Sequence, residues 1–261
     1  MEQHLRGLGS KLVIKEEEKA KITTSIETIK ERVKKWFGNE ITGIEIFGSY
    51  SRDTILPRKV DEGSDIDVMI IFKNEENYQP QTLLNKLRNF VENKYSTSEI
   101  YQSNPTIVLE LGHIKFELVP AIVNGFSWEK NYKIPAKASS YTDWIGTSPN
   151  KFKEELEIHN GINSYLTKPL IRIMKYWNVL NGKVYSSYEL EKMILELYSI
   201  ENSLLGHSKN IISSLSTSKV SSSNAPKVEK LKKQMNKLSE KLTENNRQEA
   251  KEILLNIFPE L

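Results

Sequence analysis

The segment Phe47-Gly48-Ser49-Tyr50-Ser51-Arg52-Asp53 closes an isoleucine-rich run, Ile41 to Phe47. After a polar excursion the chain enters Gly63-Ser64-Asp65-Ile66-Asp67-Val68. The first run reads as a strand. It passes into Gly48-Ser49, where a serine can cap free backbone N–H groups, groups that also favour anions. The second run, Ser64 to Phe72, reads as another strand. Side chains alternate between the faces of a strand. Asp65 and Asp67 therefore share one face, and Ile66 and Val68 share the other, which should pack on helices.

A third carboxylate extends the pattern. Thr106 to Leu111 and Ile114 to Val119 are strand-like runs joined by Gly112-His113, so 106–119 is expected to be a hairpin. Ile114, Phe116 and Leu118 fall on one face. Lys115, Glu117 and Val119 fall on the other, and Pro120 is expected to end the strand. An Asp-x-Asp pair alone means little, because acidic pairs are common on solvated strands. Here the pair heads the apolar run Val68 to Phe72. Burying two carboxylates side by side is expensive unless a cation pairs with them. Magnesium is the hard ion that takes oxygen ligands and keeps room for substrate phosphates. Asp65, Asp67 and Glu117 are thus the candidate metal ligands and catalytic residues. A two-ion arrangement explains three acids: one ion activates an attacking hydroxyl and the other neutralises a departing pyrophosphate. Gly48 and Ser49 would hold the terminal phosphates.

The surroundings suit a folded core. Of 261 residues, 38% are hydrophobic and 27% charged, the balance of an ordinary soluble globular protein. No run approaches the roughly 20 apolar residues of a membrane span, and residues 1–19 lack an apolar signal segment. Cysteine is absent, which excludes disulfides and thiolate metal sites and fits a reducing cytoplasm. The net charge of +3 is too mild to argue nucleic-acid binding. Ile22, Ile26, Ile29, Val33 and Phe37 recur at helical spacing over Glu16 to Phe37, as do Leu83, Leu84, Leu87, Phe90 and Val91 over Thr82 to Val91. Residues 124–150 read as irregular. Helices are expected at Phe152 to Ile158, Tyr165 to Leu180, Tyr188 to Ile200, and around Val228 to Leu242 and Glu249 to Phe258. Ser203 to Pro226, rich in serine, reads as a flexible loop. His159 and His207 are expected to be solvated. The spacing predicts two lobes, 1–150 catalytic and 151–261 helical, with the first helix packing across both.

Four segments resemble one family. Gly48-Ser49 with Asp65-Ile66-Asp67 and a later carboxylate resembles the nucleotidyltransferase superfamily with the DNA-polymerase-β-like fold. Gly48 to Thr54 resembles the Gly-Ser-x-x-Arg-Gly-Thr of cGAS/DncV-like nucleotidyltransferases, the bacterial oligonucleotide cyclases. Phe116-Glu117-Leu118-Val119-Pro120-Ala121 resembles their third-acid strand, Leu170 to Asn178 their helix with a phosphate-contacting lysine, and Ser187-Tyr188 with Glu191 their Ser-Tyr-x-x-Glu helix start. The matches span residues 47–191. Two positions depart from the family pattern: Asp53 stands where glycine is common, and Glu117 where aspartate is.

The resemblance implies an α/β (α+β) fold, a polymerase-β-like mixed sheet with a helical C-terminal lobe. It implies that Ser49 contacts triphosphate, that Lys175 and Ser187 contact donor phosphates, and that Tyr188 stacks on the base, a role open to any aromatic face. Arg52 can instead brace the turn. It further implies that two Mg²⁺ ions, replaceable by Mn²⁺, serve a cytoplasmic monomer. That monomer would join ATP, GTP, UTP or CTP into a cyclic di- or trinucleotide second messenger for antiphage (CBASS) signalling through a downstream effector. Two rivals stand beside this: transfer of a nucleotide to an RNA 3′ end or other macromolecule, for which the Lys227 to Lys241 lysines leave room, and a non-catalytic nucleotide-binding sensor.

Overall fold

The computed structural model describes residues 1–261 except 104, 126–130, 137–141, 198–200 and 219. In chain order the elements begin α1 (Glu2–Lys11), α2 (Glu16–Phe37), β1 (Ile41–Phe47), α3 (Gly48–Ser51), β2 (Asp65–Phe72) and α4 (Pro80–Lys94). There follow β3 (Glu99–Ser103), β4 (Thr106–Leu111), β5 (Ile114–Val123), β6 (Tyr132–Pro135) and β7 (Trp144–Thr147). The helices α5 (Pro149–Ile162), α6 (Thr167–Leu180), α7 (Ser187–Glu196), α8 (Leu204–Ser214), α9 (Ala225–Thr243) and α10 (Arg247–Ile257) complete the chain. The chain divides into two compact units. A sheet unit comprises Lys15–Arg58 and Glu62–Glu154, and a helical unit comprises Met1–Ile14, Lys59–Asp61 and Glu155–Leu261.

The sheet unit holds one mixed sheet, ordered β1-β2-β5-β4-β3, with β6 on β5 and β7 on β6. β2 and β5 run parallel, and the remaining pairs are antiparallel. Alternation sorts the two faces as expected. Ile66, Val68, Ile70 and Phe72 of β2 and Phe116 and Leu118 of β5 are buried. Helix α2 buries Ile22, Ile26, Ile29, Val33 and Phe37, and α4 buries Leu83, Leu84, Leu87, Phe90 and Val91. Phe37 joins these layers, with ring centroids 5.2 Å from Phe72 and 5.7 Å from Phe90. The opposite face carries a smaller cluster of Met69, Ile71, Ala121 and Tyr132, with Phe47 and Ile134 against it.

The hairpin of β4 and β5 forms with its turn at Gly112-His113, but Pro120 does not end the strand. β5 continues to Val123, with Pro120 opposite Ile70 of β2. On its other edge β5 pairs with β4 only as far as Leu118, and with β6 from Ile122. Pro120 thus sits in the gap between two ladders, where a missing N–H costs little. Residues 124–150, read as irregular, contain β6 and β7. Residues 126–130 and 137–141 of that stretch lie outside the described residues.

In the helical unit α1 lies within residues 1–15, where no helix was expected. Leu5, Leu8 and Leu12, spaced three and four apart, are buried. Arg172 of α6 donates from Nε to the Gly9 carbonyl at 3.3 Å. Asp61 of the excursion pairs with Lys183 at 2.8 Å. The serine-rich stretch from Ser203 is not wholly a loop. Ser203 accepts from Gly206 N at 3.0 Å and caps α8, which buries Leu204, His207, Ser208, Ile211 and Ile212. His207 is accordingly buried rather than solvated, and burial lowers its pKa. His159 is half-buried and its Nδ1 lies 2.9 Å from Thr167 Oγ1. Residue 219 of the serine-rich stretch, and 198–200 of the helix read as Tyr188 to Ile200, lie outside the described residues.

Phe116 fills the helix-facing side of β5 directly beside Glu117 and is fully buried. Phe116→Ala is expected to cost about 3–5 kcal/mol, read as a lower midpoint in urea unfolding at unchanged slope.

Candidate active site

The site-bearing face is built from the odd positions of β2 and β5. Their parallel register sets Asp65 beside Lys115 and Asp67 beside Glu117. Two residues further on, the same face turns apolar at Met69 and Val119, both buried. The acids therefore stand at the rim of a covered sheet, where β2 begins.

Gly48 ties the turn to these acids. Its φ of +68° lies in the left-handed region, and a Cβ there would fall 1.7 Å from Asp67 Oδ2. Only glycine lets the β1–α3 turn close over the Asp67 carboxylate. The turn is held by Thr54, whose N donates to the Ser49 carbonyl at 3.0 Å. Asp53 has φ +57°, a left-handed conformation that glycine adopts freely; aspartate is among the residues that tolerate it. Arg52 is buried, its guanidinium 5.0 Å from the Phe152 ring centroid. It braces the turn.

Lys115 stands among the carboxylates. Its Nζ lies 3.3 Å from Asp65 Oδ2 and 3.1 Å from Glu117 Oε1. Buried Thr106 also donates to Glu117 Oε2, at 3.4 Å. The Asp65 carboxyl is pushed up to about 6, by burial first and then by the Glu117 charge, with Lys115 pulling the other way. Burial pulls the Lys115 ammonium down, but the Asp65 and Glu117 charges outweigh it and the net direction is up. The next pair along the face is Arg58 with Glu110, 3.1 Å apart. Sequence reasoning placed Lys115 on this face without giving it a role. Its position two residues before Glu117 was the available signal. Thr106 left none.

The donor set fits a divalent cation chemically: three hard-oxygen side chains on one rim, one of them raised by burial and then by the Glu117 charge. Among the described residues, however, no three His, Cys, Asp or Glu side chains converge closely enough to hold an ion. Lys115 lies between two of the acids, and Asp67 is drawn against Gly48.

The other expected site residues lie in the helical unit. Lys175 of α6 is no solvated lysine. It is buried and paired with fully buried Glu191 of α7. Helix α7 opens with a capping box in which Ser186 accepts from Glu189 N at 3.2 Å and Glu189 Oε2 accepts from Ser186 N at 3.2 Å. Ser187 is then the first helical residue and is exposed. Tyr188 is 54% exposed, so it is no core aromatic.

Comparison with known proteins follows the same direction. Residues 1–160 match the family described as the Second Messenger Oligonucleotide or Dinucleotide Synthetase domain. A probable cyclic nucleotide synthase of Bacillus cereus is 28% identical over 199 residues, 63% of this chain; the match spans 57% of that relative's length. Among solved structures, the GTP complex of the Bradyrhizobium diazoefficiens CD-NTase CdnG aligns with a TM-score of 0.75 at 11% identity, covering 98% of this chain and 94% of that one. The Elizabethkingia meningoseptica cyclic dinucleotide synthase CdnE, with GTP and Apcpp, aligns with a TM-score of 0.65 at 20% identity, covering 82% of each chain. At these identities the structures establish the fold, a polymerase-β-like mixed sheet with helices. The family match extends over more than half of the chain, and it agrees with the motifs between Gly48 and Glu117. The chain belongs to the Second Messenger Oligonucleotide or Dinucleotide Synthetase family, whose members are cGAS/DncV-like nucleotidyltransferases.

Proposed function

We propose that this protein is a metal-dependent nucleotidyltransferase that joins nucleoside triphosphates into a cyclic di- or trinucleotide second messenger, releasing pyrophosphate, in antiphage signalling. The reading rests above all on the rim of β2 and β5, where Asp65, Asp67 and Glu117 share one face beneath the Gly48 turn. Two Mg²⁺ ions, or Mn²⁺, would supply there the positive charge that activates a ribose hydroxyl and offsets the departing pyrophosphate. The chain's own part is to hold that charge. Asp65, Asp67 and Glu117 fix it to the sheet. Gly48 and Ser49 offer backbone N–H and hydroxyl to the terminal phosphates. Exposed Tyr188 offers a face for the base, and Ser187 a hydroxyl for phosphate. Lys175 is better supported as the residue that anchors α7, through Glu191, than as a free phosphate ligand. Ring closure needs a second transfer for a dinucleotide and a third for a trinucleotide, with the linear intermediate bound again as acceptor. The product, not the chain, would then reach an effector. Among the described residues no helix is long and apolar enough to cross a membrane.

Incubation with the four labelled triphosphates and Mg²⁺ or Mn²⁺ is expected to give a phosphatase-resistant product, identified by mass. Label appearing only in added RNA, or tight nucleotide binding without any incorporation, overturns the proposal. Asp67→Asn should lower product formation by at least about a hundredfold, the scale of losing one preorganised charge partner, with circular dichroism unchanged. Gly48→Ala should do similar damage for another reason: its Cβ displaces the Asp67 carboxylate. Gly112→Ala, with open space around its Cβ, should leave turnover as in the native chain.

A further inference from the structure

Lys115 is a cation that this face already carries between two of its acids. It is the register partner of Asp65 and lies two residues before Glu117 on the same face of β5. Its ammonium bridges the two carboxylates at 3.3 Å and 3.1 Å. The three side chains keep 16%, 27% and 21% of their surface for Lys115, Asp65 and Glu117, so the bridge is reachable by solvent and by ligands. An ammonium at that distance uses the same oxygen lone pairs that a hard cation needs. It also places a positive charge within a few ångström of any divalent ion bound there.

We propose that Lys115 is an internal competitor for divalent metal: its ammonium holds Asp65 and Glu117 together, and must release them for an ion to bind. This rests on the assignment of Asp65, Asp67 and Glu117 as metal ligands, and adds to it a residue that tunes the site. The bridge has two consequences. It offsets the repulsion between two acids on adjacent strands, so the rim keeps its geometry without an ion. It also weakens the site for a bare ion and so favours loading together with a triphosphate, whose negative charge compensates the lysine. A lysine whose stem simply packed on the sheet would produce neither effect.

The test is Mn²⁺ binding to the full chain without nucleotide, followed by electron paramagnetic resonance of the free ion at fixed ionic strength. Lys115→Met keeps a long stem and deletes the charge, whereas Lys115→Arg keeps the charge. Lys115→Met is expected to bind Mn²⁺ about tenfold more tightly than wild type, the size of one unit charge repelling a divalent ion several ångström away under water-like screening. Lys115→Arg should bind as wild type does. If Asp67→Asn loses the ion while Lys115→Met binds it no better than wild type, the metal site stands and the Lys115 proposal falls. If Asp67→Asn binds the ion as well as wild type does, the metal assignment itself falls, and this proposal with it. Weaker nucleotide binding in Lys115→Met with unchanged Mn²⁺ affinity marks a direct phosphate contact and also overturns the proposal. Should Lys115→Met fail to fold by circular dichroism, Lys115→Gln makes the same comparison.

Discussion

Negative charges crowded onto the rim of a largely covered sheet govern this structure. The parallel pairing of β2 and β5 puts Asp67 directly beside Glu117 and places Asp65 one step away. Burial and the Glu117 charge together push the Asp65 carboxyl to about 6. Such a face is stable only if something compensates it. One device compensates the charge and another makes room for it. Lys115 bridges Asp65 and Glu117, while Gly48, lacking a side chain, leaves the space that the Asp67 carboxylate fills. The glycine-serine motif and the aspartate motif are therefore one feature: the φ of +68° at Gly48 has its purpose in Asp67.

The other face of the same strands makes this affordable. Ile66, Val68, Phe116 and Leu118 alternate with the acids and are fully buried. Each fully buried side chain of this size contributes on the order of 1.5–3 kcal/mol, so the strands are anchored from below whatever happens above. Phe37, stacked edge-on to Phe72 and tilted against Phe90, fixes α2 and α4 to the far end of β2. The aspartates are at its beginning. Packing strength and functional charge are thus separated along one eight-residue strand.

This separation is why the sequence was so informative here. Period-two alternation reports face directly, so the order of residues alone sorts Asp65, Asp67, Glu117 and even Lys115 onto their faces. Helices α2 and α4 announced themselves by five buried positions each at helical spacing. What alternation cannot report is partnership between distant strands. That Asp67 lies against Glu117, and that Lys115 falls opposite Asp65, follow from a parallel crossover that runs from Phe72 to Ile114. Pro120 misled because proline stops a strand only where its N–H is needed, and the missing ladder partner at that edge is a tertiary fact. Helices α1 and α8 were overlooked because three or four apolar residues amid polar ones look like surface. Their burial comes from the other helices of the unit, as Arg172 reaching Gly9 shows.

The lysines at 115 and 175 show how a charge pair's role follows from its exposure more than from its motif. Both are paired with carboxylates, and both lie in or beside segments that resemble the family's motifs. Lys175 and Glu191 retain 5% and 0% of their side-chain surface. Exchanging either partner for a ligand would strand the other charge in a low-dielectric interior, at a cost of several kcal/mol. That pair is consequently fixed, and it ties α6 to α7, while the Ser186–Glu189 capping box sets where α7 begins. Lys115, Asp65 and Glu117 keep 16%, 27% and 21% of their side-chain surface, so water can reach the bridge. A fully buried pair holds two helices together, whereas a partly open one keeps its partners within reach of solvent.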